Sequence, residues 1–270
     1  MPSNPNAVEH NRKAWDDLAK QKQRFTQAAK DEEFASPLSI LDGCGWLGGN
    51  IAGKRLLCLA AGGGRQGPLY AATGAVVTVV DVSAAQLELD REVAATRKLT
   101  LKTVQTSMDD LSMFETAEFD IVIHPVSTCY VDDLQGVYQS VARVIRPGGI
   151  YVSQHKQPTS MQADVAPSPS GYELTEPYYR KGPLPAVVGS LHREEGTLEY
   201  VHRWEQLVGM MCRAGFVIED LTEPIHADES AKPGTFAHRS RYIAPYVRIK
   251  ARRSEKKASG EATKIVWLPD

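Results

Sequence analysis

Two glycine-rich stretches are the first residues whose types and spacing suggest chemistry. ILDGCGWLGG spans Ile40–Gly49, and LLCLAAGGGRQG spans Leu56–Gly67. Either resembles a loop that closes around a nucleotide-type cofactor. Such a loop needs a buried strand to deliver it and glycines that let the backbone approach the ligand. It also needs an acid about 20 residues on, at the end of the next strand, for ribose hydroxyls. The first stretch has only two apolar residues before Asp42 and no acid at the right distance. The second has Leu56, Leu57, Cys58 and Leu59 as strand, Gly62-Gly63-Gly64 as loop, and Asp81 nineteen residues past Gly62. The second stretch is therefore the expected binding loop, and the Asp42 stretch a turn near the sheet.

The elements that must position this loop follow from periodicity. Residues 7–25 space Val8, Trp15, Leu18 and Ala19 as on a helix. Strands are expected at 55–60, 75–81, 100–105, 119–124, 149–153, 216–221 and 246–251. Between them, helices are expected at 66–73, from Ser83 with Gln86 at capping spacing, from Asp132 to Pro147-Gly148-Gly149, and over 199–214. Residues 156–190 are rich in Pro, Ser and Gly and lack a sustained period. Alternating strands and helices imply an α/β fold with a mostly parallel sheet covered on both faces.

Composition narrows the functions. The chain has 270 residues, 42% hydrophobic and 24% charged, with formal net charge -2 and a pI near 6.4. No global basic field draws in nucleic acid or anionic lipid. No apolar run approaches the ~20 residues of a bilayer span, and the N-terminus lacks a signal-peptide core, so a cytoplasmic location is expected. Cys44, Cys58, Cys129 and Cys212 form no CxxC pair, so no metal site is expected and the thiols read as reduced.

With these motifs in place, the chain resembles the class I S-adenosylmethionine-dependent methyltransferases of the small-molecule type, over roughly residues 8–252. LLCLAAGGGRQG resembles their glycine motif, VVTVVDVS their acidic motif, and VQTSMDDLSMF their adenine-contacting segment. EFDIVIH resembles their fourth strand, and VARVIRPGGIYVSQH their helix–PGG–fifth strand unit. The resemblance implies a Rossmann-like, seven-stranded sheet with an antiparallel last strand, plus an N-terminal helix. It implies that S-adenosylmethionine is the cofactor and S-adenosylhomocysteine the product. Ala60, Ala61, Gly62 and Gly64 would line its methionine and ribose portion, Asp81 would accept from the ribose hydroxyls, and Val82 would pack on adenine. Ser107, Met108 and Asp109 would stand beside the adenine, and His124, Pro125 and Val126 at the amino acid end. The chain departs from the family at Cys58, where an acid is usual, at Ala60, where the first loop glycine is usual, and at Ser107, where an Asp is usual.

Transfer to a hydroxyl, amine or acidic carbon calls for a base beside the donor. His124 and Tyr130 follow the fourth strand and His155 with Lys156 the fifth, which makes His124, Tyr130 and His155 the catalytic candidates. Tyr178 and Tyr179 are further candidates for acceptor contact. His202 reads as a packing residue. The expected organisation is an N-terminal helix and cap over 1–54, the methyltransferase domain over 55–252 with a lid or acceptor insertion at 156–198, and a loose polar tail at 253–270. The expected partner is a small-molecule acceptor for a monomer or homodimer. Three rivals are an RNA or other nucleic-acid methyltransferase, a dinucleotide-dependent oxidoreductase and a non-catalytic sensor or scaffold. His124-Pro125-Val126-Ser127 replaces the Asn/Asp-Pro-Pro-aromatic motif of enzymes acting on base amino groups, and no Pro-Cys nucleophile occurs. Gly62–Gly67 satisfies GxGxxG, but the Pro-Gly-Gly unit and the missing second domain argue against hydride transfer.

Overall fold

The computed structural model describes residues 3–23, 26–190 and 192–255. Arg24 and Phe25, the last residues of the helix expected at 7–25, and most of the expected loose tail lie outside the described residues. The strands are β1 (Arg55–Leu59), β2 (Val76–Asp81), β3 (Leu101–Gln105), β4 (Phe119–His124), β5 (Ile145–Lys156), β6 (Phe216–Thr222) and β7 (Tyr246–Arg253). They form one seven-stranded sheet in the order β3-β2-β1-β4-β5-β7-β6. The β1, β2, β3, β4 and β5 pairings are parallel, and β7 runs antiparallel to both β5 and β6.

The helices are α1 (Pro5–Lys20), α2 (Pro37–Leu41), α3 (Gln66–Ala72), α4 (Ala84–Arg97), α5 (Leu134–Val144), α6 (Pro158–Gln162), α7 (Met210–Arg213) and α8 (Phe236–Arg239). The apolar runs of β1 and β2 are buried because helices cover both faces. On one face, Leu57, Val122 and Tyr151 pack with α5 residues Val137, Tyr138 and Val141 and with Met211. On the other, Cys58, Val79 and Ile121 pack with Tyr70, Leu87, Leu47 and Ile51.

Local chemistry sets the boundaries. Asn4 caps α1 and Pro5 occupies its first turn, so the helix starts earlier than its apolar spacing suggests. Ser83 caps α4 by accepting from Gln86 N at 3.1 Å. The helix expected at 199–214 begins later, with a π-helical turn at Glu205–Gly209 leading into α7. Residues 198–200 stay out of the helix, where Tyr200 N bonds Cys129 O and Leu184 N bonds Glu199 O. β5 is longer than expected and follows α5 directly, taking in Pro147-Gly148-Gly149. The Asp42 stretch is a turn: its carboxylate accepts from Trp46 N and Leu47 N at 2.8 Å each. No helix among the described residues is long and apolar enough to cross a membrane.

Candidate active site

The sheet order reverses between β1 and β4, and there the carboxyl ends of the strands open a crevice. A cavity of about 860 Å³ fills it. Ala60, Ala61, Gly62 and Gly63 supply one wall after β1, and Asp81 and Val82 another after β2. Ser107, Met108, Pro125, Val126 and Ser127 come from the loops after β3 and β4. Helix α1 contributes Val8, Asn11 and Trp15 to the same space.

The glycine loop is held by two carboxylates. Asp81 Oδ2 accepts from Gly62 N at 2.9 Å, and its Oδ1 accepts from Ser83 N at 2.9 Å. Burial pushes its carboxyl up to about 6, against the lowering bonds from Ser83, Gly62 and Val82. A Cβ on Gly62 would stand 2.7 Å from Gln86 Cβ, and one on Gly64 would meet Leu89 O at 2.9 Å at a φ of +75°. Both positions therefore demand glycine. Ala60 takes a positive φ of 48°, the conformation a glycine would enter without strain.

Asp90, on the buried face of α4, supplies the second carboxylate. It accepts from Gly63 N at 3.0 Å and is 0% exposed. Burial raises its carboxyl from 3.8 to about 7, despite the opposing backbone N–H groups of Gly64 and Gly63. Between these values the folded state binds more protons than the unfolded one, so stability falls as pH rises from about 4 to 7. Asp90→Asn keeps an acceptor for Gly63 without the charge. Its Tm is expected to exceed the parent's by roughly 5 °C at pH 8, with the gain vanishing toward pH 4 in scanning calorimetry.

Helix α1 is pinned across the cavity. Asn11 Nδ2 donates to Tyr130 O at 2.9 Å and Leu198 O at 3.0 Å, and its Oδ1 accepts from Leu198 N at 2.7 Å. Asp16 Oδ1 accepts from the Ser83 hydroxyl at 2.6 Å and from Ala85 N at 3.2 Å, at the start of α4. Trp15 meets Tyr130 edge-on, with ring centroids 5.4 Å apart. Asn11→Ala removes three bonds of about 1 kcal/mol each. Amide exchange of α1 is expected to rise at least tenfold while the protection of β1 and β4 holds; equal acceleration in both would show global unfolding instead.

The far end of the cavity carries a buried charge cluster. Lys156 Nζ donates to Glu194 Oε2 at 2.8 Å and also bonds Glu199 Oε1. Tyr130 donates its hydroxyl to Glu194 Oε2 at 2.6 Å, and Arg193 pairs with Glu199. Burial works to raise the Glu194 carboxyl, but Lys156 outweighs it and holds the group below its ordinary value. For Glu199, burial prevails over Lys156 and raises the carboxyl. Gln154, His226, Phe236 and Tyr246 complete this end.

Most of the expected site residues meet here, and some do not. Ala60, Ala61, Gly62, Asp81, Val82, Ser107, Met108, Pro125, Val126 and Tyr130 line the cavity; Gly64, Asp109, His124 and His155 do not. Gly64 packs behind the loop against Leu89. Asp109 is taken by Ser3 N at 2.8 Å and by the Ser107 hydroxyl. His124 and His155 lie on the α5 side of the sheet with Val122 and Tyr151, because strand side chains alternate. His124 Nδ1 bonds the Tyr151 hydroxyl at 2.8 Å. His155 bonds Thr128 and Ser153 hydroxyls at 2.8 Å each. Burial lowers both histidines to about 3. Tyr178 accepts from Trp204 N at 3.2 Å, and Tyr179 is exposed, both away from the cavity. His202 bonds Thr128 O and Val131 O at 2.9 Å each, as a packing residue does. Among the described residues of 156–198, Lys156 and Glu194 line the cavity, alongside Val8, Asn11 and Trp15 of α1.

Asn11, Asp90 and Glu194 belong to no motif that marks them in the sequence. Asn11 stands three residues after Val8 and four before Trp15, so a polar residue on the apolar stripe was the available signal. Asp90, three residues after Leu87, offered the same signal on α4.

The loop has unmet hydrogen-bonding capacity that an adenosyl ligand would fill. Gln66 Oε1 and Gln86 Oε1 are buried without partners among the described residues, and both residues line the glycine-loop wall. Such oxygens suit an ammonium or hydroxyl brought by a ligand. The crowded glycines and the Asp81 carboxylate complete a cradle that fits.

A family profile described as "Methyltransferase domain" matches residues 57–153. A Bacillus subtilis protein named uncharacterized methyltransferase YbaJ is 34% identical over 231 residues, 80% of this chain and 90% of its own. This chain belongs to the class I S-adenosylmethionine-dependent methyltransferases. A ubiquinone biosynthesis O-methyltransferase from Haemophilus ducreyi is 32% identical to this methyltransferase over 104 residues, 37% of this chain and 44% of that protein. The structure of a geranyl diphosphate C-methyltransferase from Streptomyces coelicolor, in complex with Mg2+, geranyl diphosphate and S-adenosyl-L-homocysteine, superimposes with a TM-score of 0.62. Its sequence is 17% identical, with 94% of this chain and 99% of that one covered. The methyltransferase uses S-adenosylmethionine.

Proposed function

We propose that this methyltransferase acts on a small-molecule acceptor by in-line displacement, leaving S-adenosylhomocysteine. The observation that carries this reading is one continuous cavity running from the glycine loop and Asp81 to the Tyr130–Lys156–Glu194 cluster. Its volume of about 860 Å³ lies near the top of the ~300–1,000 Å³ usual for small-ligand sites. Bound S-adenosylmethionine supplies a methyl group already activated on a sulfonium. The chain's own residues then have to align and enclose the reactants, an effect worth up to ~7–11 kcal/mol.

Gly62, Gly63 and Asp81 would hold the adenosyl portion, with Val82 and Met108 as its apolar walls. Trp15 and Asn11 close the cavity from α1 and exclude water. We assign receipt of the acceptor proton to Tyr130 and Glu194, which share a 2.6 Å hydrogen bond. The basic side chains of β7 are occupied within the sheet: Arg248 bonds Gln154 at 2.8 Å, Lys250 and Arg252 pair with Glu219, and Arg253 donates to Ala142 O and Gly215 O. They leave no array of cations for a phosphate backbone.

The test is to incubate the enzyme and a donor with a labelled methyl group in whole-cell lysate and separate the products by size. Label in the low-mass fraction is expected. Label concentrated in RNA or protein would overturn the reading.

A further inference from the structure

We propose that the deep end of the cavity selects an uncharged or cationic acceptor that offers an O–H or N–H to Glu194, and that it rejects carboxylates and phosphates. The inference rests on the small-molecule reading above and names the chemical class of that acceptor.

The cationic donors at this end are already committed. A lysine ammonium has three N–H groups. Those of Lys156 are taken by Glu194 at 2.8 Å, by Glu199, and by His192 O at 3.4 Å. Arg193 is held by Glu199 and by Pro185 O at 2.8 Å, and it stands outside the cavity lining. Burial and the neighbouring Arg248 hold the His226 imidazole below its ordinary value. Among the described residues lining this end, no cation keeps a donor for an anionic ligand.

Acceptors are differently placed. Glu194 Oε2 receives both Tyr130 and Lys156, whereas Oε1 has no partner outside its own residue among the described residues. An ionised carboxylate oxygen in a water-poor site forms a strong charge-assisted bond with a ligand O–H or N–H. The cluster is already neutral as a whole: Lys156 and Arg193 balance Glu194 and Glu199. A ligand carboxylate or phosphate would add an uncompensated buried charge.

The rest of the chamber suits an apolar body. Trp15 and Tyr130 form one aromatic edge. His226, Phe236 and Tyr246 form another, with centroid separations of 5.5, 5.5 and 6.3 Å.

The cell's own metabolites serve as the pool of acceptors for the test. Metabolites from the cells that make the protein are split on anion-exchange resin into unretained and retained pools. Each pool is incubated with the enzyme and S-adenosylmethionine carrying a labelled methyl group. At least tenfold more label is expected in products of the unretained pool. Label mainly in the retained pool overturns this inference and leaves the small-molecule reading standing. Label in neither pool, with S-adenosylhomocysteine still binding by calorimetry, overturns both. Glu194→Gln is expected to lose at least tenfold of the labelling with S-adenosylhomocysteine affinity unchanged; full labelling by that variant would remove Glu194 from recognition. Native mass spectrometry of the parent protein, loaded with S-adenosylhomocysteine and exposed to each pool, gives a readout free of both turnover and substitution. A ligand from the unretained pool alone is expected, and one from the retained pool counts against the inference.

Discussion

Asp81→Ala is expected to weaken S-adenosylhomocysteine binding at least tenfold while the sheet stays folded. The carboxylate has two duties. It fixes Gly62 N and Ser83 N at 2.9 Å each, which sets both the glycine loop and the entry into α4. Asp81 also lines the cavity, together with Gly62 and Val82. A hydrogen bond to a charged group contributes about 1.5–3 kcal/mol, so losing even one ligand bond costs tenfold or more. Asparagine would keep one accepting oxygen but turn an NH2 toward Gly62 N or Ser83 N, and its affinity is expected close to that of alanine.

The same carboxylate sets a pH dependence. Its folded value of about 6 means that the free protein carries the charge above pH 7 and loses it below pH 6. Affinity is therefore expected to be flat from pH 7 to 8 and to fall as pH drops through 6. The fall should be absent in Asp81→Ala. Calorimetric titrations between pH 5 and 8 decide this, and equal profiles in the two proteins would detach Asp81 from the ligand.

The glycine-loop wall of the cavity was legible in the sequence for a physical reason. The loop, its strand and its acid are close along the chain, and parallel strands buried on both faces read as unbroken apolar runs. The same double burial hid the orientation of His124 and His155. With no polar face to set parity, the sequence could not say on which side of the sheet they project. The cluster end of the cavity was legible least. Asn11, Tyr130, Lys156, Glu194 and Tyr246 come from segments far apart in the chain, and no period links them. The 199–214 stretch has helical spacing, but the pairing of Glu199 with Lys156 and Arg193 holds its first residue beside the cluster, a tertiary demand that local propensity does not register.

That cluster carries the largest stability effect expected in the molecule. Lys156→Met removes the ammonium and keeps the stem's apolar bulk. Arg193 is then the cation left to the two carboxylates, and it bonds Glu199 but not Glu194. Breaking a buried ion pair by removing one partner costs about 3–5 kcal/mol, roughly 10 °C in Tm for a chain of this size. The sign with pH follows. Burial and mutual repulsion would hold both carboxyls above their unfolded values once Lys156 is gone. The folded variant would bind more protons than the unfolded chain, so its stability would fall as pH rises from about 4. Calorimetric scans of Lys156→Met are therefore expected to give a Tm closer to the parent's at pH 5 than at pH 8. Adding Glu199→Gln removes one uncompensated charge and should recover part of the loss at pH 8. A double variant no better than the single one would mean that Lys156 stabilises the fold through packing of its stem and not through its charge.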